Sequence, residues 1–359
     1  MPTPRGPKAP MKGRGATITP QPRYLRDEHD DFDDGWVGDL EAPPKLITTV
    51  TDETARSIIS RNQSPDLPFN QSVNPYRGCE HGCVYCYARP THAYLDLSPG
   101  LDFESRLFAK RNAASLLRKE LGATNYECSP IALGSNTEAY QPIERKLRIT
   151  RELLEVFVAT RHPITIVTKA ALIERDIDLL TTLAESSLVE VYVSVTSLDH
   201  ALARRMEPRA TAPSRRIETI RRLHGAGIPT GVMLAPIIAG LNDDEMEKIL
   251  STAAEAGAIS ASYIVQRLPL EVSPLFQAWL DEHYPLRAGK VMNLMRAMRG
   301  GHDYESDFAR RMKGRGPIAE LLASRFKVAS RALGLNQRRS TLDTTLFRKP
   351  EQAGQLNLF

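Results

Sequence analysis

Cysteine is scarce in this chain, with four in 359 residues. So few thiols exclude the disulfide framework of a small secreted domain. Long apolar runs are also absent. The best of them, residues 231–241, falls well short of the roughly 20 residues that span a bilayer, so no membrane partner is expected. The N-terminal stretch MPTPRGPKAPMKGRGA is basic, but no hydrophobic segment follows it, which argues against a secretory signal. Neither sign of charge dominates, the formal net charge being +4. With 42% apolar residues the composition is that of a globular chain long enough for one large domain or two. A reducing, cytoplasmic setting is the expectation.

What charge there is lies unevenly. Residues 1–15 carry Arg5, Lys8, Lys12 and Arg14 and no acid. Asp27, Glu28, Asp30, Asp31, Asp33 and Asp34 follow, and the end is basic again with Arg338, Arg339, Arg348 and Lys349. Basic ends can attract phosphate backbones through counterion release; on charge alone a solvated surface is the favoured explanation. Residues 1–60 are rich in Pro and Gly punctuation and read as a poorly ordered extension.

From about residue 70 the pattern changes. Short β-branched runs at 71–76, 129–134, 164–168, 189–195, 230–235 and 260–265 read as strands. Helical spacing separates them: Phe103, Leu107, Ala114, Leu117 and Leu121, then Leu147, Leu153, Leu154 and Phe157, then Ile173, Ile177, Leu180 and Leu183. Ile217, Ile220 and Leu223, then Met246, Ile249 and Leu250, complete the series. Strand and helix alternating six times demand a parallel sheet with crossover helices, which places functional residues at the carboxyl ends of the strands. After residue 300, Phe308, Met312, Ile318, Leu321, Leu322, Phe326 and Val328 suggest a cationic helical region, and the last twenty residues a flexible tail.

Three of the four cysteines fall in NPYRGCEHGCVYCYARPTHAY, as C-x3-C-x2-C at Cys79, Cys83 and Cys86. They follow the first strand and so sit on the functional face. A closed zinc site needs four ligands, and His81 inside the loop could complete it. An ordinary ferredoxin cluster needs four cysteines. The only other one, Cys128, precedes the second strand and should lie roughly 15–20 Å away at the opposite end. The remaining reading is a [4Fe–4S] cluster on three thiolates, whose fourth iron is left to chelate a small molecule.

This cysteine motif, with Tyr85 just before its third member, resembles the radical SAM superfamily. The longer stretches GCEHGCVYCYARPTH and TEAYQPIE resemble its spore photoproduct lyase-like branch, over roughly residues 65–290. The resemblance implies an α/β fold: a partial (β/α)6 radical SAM barrel over 65–300, an N-terminal extension over 1–64, a helical C-terminal region over 301–336, and a basic tail over 337–359. It implies a [4Fe–4S] cluster on Cys79, Cys83 and Cys86, S-adenosylmethionine (SAM) on the open iron, and a low-potential donor such as a flavodoxin or ferredoxin. By the same resemblance Thr137 and Glu138 would hold the SAM amino group, Lys169 its carboxylate and Ser194 its ribose. Ala235, with Pro236, would wall the adenine. Tyr85 would contact the cofactor and Tyr87 would relay a hydrogen atom. Arg209, in MEPRA, could reach an anionic group. Spore photoproduct lyase uses a further cysteine as hydrogen donor near the end of the second strand. This chain has none there, so a literal lyase activity is not expected. An enzyme acting on RNA or protein, or a zinc-binding interaction module, remains open.

The chain ends in QLNLF. This resembles the peptide by which bacterial replication and repair proteins dock on the sliding clamp. Gln355 would supply hydrogen bonds, while Leu356, Leu358 and Phe359 would fill apolar pockets. Docking there points to DNA as substrate.

Overall fold

A computed structural model describes residues 14–24, 47–337 and 341–350. Among these residues ten strands form: β1 (Thr49–Glu53), β2 (Ile59–Arg61), β3 (Gln71–Val73), β4 (Tyr76–Arg77), β5 (Arg106–Lys110), β6 (Ile131–Leu133), β7 (Ile164–Thr168), β8 (Val189–Ser194), β9 (Thr230–Ile237) and β10 (Ser260–Val265). One sheet has the order β10-β9-β8-β7-β6-β3-β2. Its six strands from β3 to β10 are mutually parallel, and β2 adds antiparallel at the edge. All six expected strands are present, and β10 does not pair with β2 or β3, so the barrel is partial.

Parallel strands have both faces covered, so they need continuous apolar runs. Ile164 and Ile166 of β7 and Val189 and Val191 of β8 are fully buried. Crossover helices cover the outer face: Ala113–Leu121, Ile149–Thr160, Ile177–Ala184, Pro213–Gly225 and Met246–Glu255. The free edge of β10 is covered too, which blunts a template for misassociation. Asn336 accepts from the Ala261 amide at 2.9 Å and donates to its carbonyl at 3.0 Å, and the Val265 amide donates to Met312 O at 2.8 Å.

Three local expectations differ from what is found. Leu107 lies in β5, not in a helix. The preceding helix stops at Ser105, and RLFAK then buries Leu107 and Ala109 at period two, pairing with β1 and β4. The helical spacing of Phe103 and Leu107 concealed that switch. Phe308 and Met312 lie in turns, because Gly300, Gly301, Gly314 and Gly316 take positive φ and the next helix begins only at Gly316. Residues 341–350, read as part of a flexible tail, pack across the amino ends of the parallel strands. Phe347 packs obliquely on Tyr126 at 5.5 Å and edge-to-face on His162 at 5.2 Å, and the Arg348 amide donates to Thr160 O. That anchoring is aromatic and aperiodic, so no period announces it. The N-terminal extension supplies β1 and β2, and residues 14–24 return against the thiol loop described below. No helix of the described residues is long and apolar enough to cross a membrane.

Candidate active site

After Val73 the chain runs through the thiol loop, which is stitched to the loops at the carboxyl ends of its neighbours. The Asn74 carboxamide accepts from the Asn136 amide, the Thr137 hydroxyl donates to Tyr76 O at 2.9 Å, and Gln141 accepts from the Glu80 amide. The Val84 amide donates to Met206 O and the Arg209 amide to His81 O, tying the loop to the segment after β8. Cys79 and Cys83 are buried, Cys86 is partly so, and all three are free thiols. Burial pushes all three thiols up, Cys83 to about 12. The protein alone therefore keeps them protonated, and only a cationic centre would hold them as thiolates. Among the described residues no group of three His, Cys, Asp or Glu is arranged to hold a single metal ion. His81 turns its Nδ1 toward Glu138 at 3.8 Å instead of completing a Cys3His set, and burial lowers its pKa to about 4.

Beneath the loop lies a buried ion pair that the sequence did not reveal. Arg89 is fully buried and pairs with the equally buried Glu104. Its guanidinium also donates to Cys83 O at 2.9 Å, Gly82 O at 3.1 Å and Gly100 O at 2.9 Å. The N-terminal segment closes over this pair. The amides of Gly15 and Ala16 each donate to a Glu104 carboxylate oxygen at 2.9 Å, and the Arg14 guanidinium donates to Glu104 O and Thr48. Gly82 sits at φ +64°, where a side chain would be strained. Gly15 faces it so closely that a Cβ would come within 1.8 Å of Gly82 O. Gly15→Ala should therefore lift the N-terminal segment off the loop. Limited proteolysis is expected to cut the variant between residues 14 and 24 faster than the native chain. Equal protection would mean that the segment does not brace the loop.

On the inner side, the expected residues converge. The Glu138 carboxylate accepts from the Thr168 hydroxyl at 2.7 Å, the Tyr140 amide at 3.0 Å and the Lys169 amide at 2.9 Å. The Lys169 ammonium lies 5.7 Å from the Tyr85 ring centroid and has no carboxylate within ion-pair distance among the described residues. The Ser194 hydroxyl donates to Ala235 O at 3.2 Å, joining the ends of β8 and β9. Tyr87 stands apart from this group: it is 45% exposed, and its hydroxyl donates to Ser135 O. Arg209 pairs with Glu80 at 3.1 Å. Gln355, Leu356, Leu358 and Phe359 lie outside the described residues.

The hub of this inner wall is Glu207, two residues before Arg209 in MEPRA. Glu207 is buried and accepts from the Tyr85 hydroxyl, from Thr196 at 2.8 Å and from the Arg216 guanidinium. Arg216 also donates to Ser194 O at 3.1 Å and Thr211 O at 2.6 Å. The only signal in the sequence was an acid placed directly before Pro208, too common to single out.

A radical SAM superfamily model matches residues 73–253. An uncharacterized protein of Mycobacterium tuberculosis is 35% identical over 265 residues, covering 73% of this chain and 78% of that one. An uncharacterized protein of Methanocaldococcus jannaschii is 28% identical over 213 residues, covering 59% and 76%. A structure of spore photoproduct lyase complexed with dinucleoside spore photoproduct shares the fold at a TM-score of 0.56 and 16% identity, covering 80% of each chain. The fold and thiol loop thus define a radical SAM enzyme, and the chain belongs to the radical SAM superfamily. Membership implies a [4Fe–4S] cluster and SAM. The donor set fits: three unbridged thiols on one loop and, among the described residues, no fourth ligand beside them and no carboxylate within ion-pair distance of the Lys169 ammonium.

Proposed function

We propose that the chain cleaves SAM reductively and directs the resulting radical at hydrogen on lesion-bearing DNA, docking on the sliding clamp through QLNLF. Cys79, Cys83 and Cys86 would hold the cluster. With SAM bound, the pair supplies a 5′-deoxyadenosyl radical once a flavodoxin- or ferredoxin-like donor delivers an electron. The observation that carries this reading is the thiol loop at the carboxyl end of β3, with the Lys169 ammonium turned toward it. A lysine without a carboxylate partner can receive the carboxylate of SAM through a charge-assisted hydrogen bond. Glu138, fixed by three donors, would face the amino group. Ser194 and Ala235 would line the nucleoside end. Buried walls would keep water from the reactive centre.

A cleft of about 440 Å³ at the carboxyl ends of β6, β7 and β8 is lined by Arg145, Arg175, Arg209 and Arg215 beside His81; Arg175, Arg209 and Arg215 are each held by a carboxylate, so Arg145 is the cation there best placed to meet an anionic substrate. The test is titration of a bacterial sliding clamp with the full chain and with a chain ending at Gly354. Micromolar binding that truncation abolishes is expected. If neither version binds, the clamp is removed from the reading, and RNA and protein substrates move ahead of DNA.

A further inference from the structure

We propose that the seam between the thiol loop and the end of β10 is a stacking surface for the bases of single-stranded DNA. The inference rests on the nucleic-acid reading above and names how the strand is held.

Tyr87 follows Cys86 directly and is 45% exposed. Arg267, two residues beyond β10, lies 5.3 Å from its ring centroid and 5.9 Å from that of Tyr304. Arg267 also donates to the Tyr304 hydroxyl at 3.3 Å. Four residues on, Phe308 is likewise 45% exposed and carries Arg311 over its ring at 4.5 Å. Asp66 holds Arg311 in a two-point ion pair at 2.6 and 2.7 Å. The result is a series of aromatic rings and guanidinium groups that begins at the residue after Cys86 and continues through Arg267 and Tyr304 to Phe308 and Arg311.

Three features select the occupant. Tyr87 and Phe308 are exposed and Tyr304 is half-buried, and an arginine held over each ring preorganises it, so little conformational freedom is lost when a planar group stacks there. The charge can meet phosphate: Arg267 has no carboxylate within ion-pair distance among the described residues, and Arg310 and Arg315 follow Phe308, although Glu305 and Asp307 precede it, Arg311 is paired with Asp66 and Lys313 is turned onto Tyr263. Rings interleaved with cations are the arrangement that receives unpaired bases while the phosphates follow the charge. A duplex hides its base faces and cannot use them, so the surface selects single strands.

The experiment is fluorescence anisotropy with the full chain and a short labelled oligonucleotide, offered single-stranded, as a duplex and as RNA. Phe308→Ala and Tyr304→Ala are each expected to weaken single-strand binding by about fivefold to a hundredfold, since one base–aromatic stack is worth roughly 1–3 kcal/mol. Phe308→Trp should keep or tighten binding, which a merely misfolded surface would not do. Tyr94→Ala, at an exposed tyrosine stacked on Tyr24 whose neighbouring Arg23 is paired with Glu271 and so is not offered to phosphate, should bind as the native chain does. Native-like binding by both alanine variants would overturn the inference while leaving the nucleic-acid reading standing. Tighter binding to duplex or to RNA would also overturn it. No binding to any of the three by the native chain would sink both.

Discussion

Cys83→Ala is expected to abolish SAM cleavage. After anaerobic reconstitution the native chain should retain about four irons and release 5′-deoxyadenosine in the presence of a strong reductant. The variant should retain almost no iron, and 5′-deoxyadenosine should fall to background. The reason is that, among the described residues, the site has no spare ligand. The His81 ring is turned toward Glu138, and the carboxylates nearest the loop are already engaged, Glu80 by Arg209 and Thr48, Glu104 by Arg89. Cys128 lies ahead of β6, at the opposite end of the sheet. Two thiols would remain for a cluster that needs at least three. Cys128→Ala is the matched control and should leave both iron and cleavage unchanged. A Cys83→Ala chain that keeps its iron and its cleavage activity would refute the assignment of this loop.

The parts of this molecule that were legible from sequence are those governed by period and spacing. Six parallel strands need six apolar runs, and Ile164–Thr168 or Thr230–Ile237 can be read directly because β-branched and aliphatic residues are dense in each. The three thiols were legible because clustered cysteine is rare in an ordinary chain. The partners that hold the loop were not. Arg89 and Glu104 are separated by fourteen residues, and Gly15 by many more, so nothing in one sequence says that they meet. Glu207 and Arg216 look like surface residues of a cationic stretch until the fold buries both. Phe347 shows the same limit at the opposite end of the sheet: a single aromatic in an aperiodic segment anchors it, and no pattern marks that role. Charge in the core is the least readable feature here, because composition treats every arginine and glutamate as solvent-facing.

Glu207→Gln is expected to destabilise the fold by roughly 3–5 kcal/mol, because the neutral side chain leaves the Arg216 guanidinium buried without its counter-charge. Burial alone would raise the pKa of Glu207. Arg216, followed by Lys169, more than offsets that and lowers it to about 2 from an ordinary 4.5. The sign follows from linkage. A carboxyl whose pKa is depressed by folding adds stability at every pH above its unfolded value, and that stability is lost as pH falls through the folded value. The contribution should therefore be complete at neutral pH and decline between about 4.5 and about 2. Urea unfolding of both chains across this range would show a gap that narrows toward the acid end, since the glutamine has no proton to take up. A second variant separates charge pairing from packing. With Arg216→Met added to Glu207→Leu, the buried charges disappear together, and most of the lost stability should return. SAM affinity should not return with it, because the Tyr85 hydroxyl and Thr196 would still lack the carboxylate that orients them beside Lys169. A Glu207→Gln chain as stable as the native one at neutral pH would show that this pair contributes nothing to holding the wall. Recovery of both stability and SAM affinity in the double variant would reduce Glu207 to a packing role.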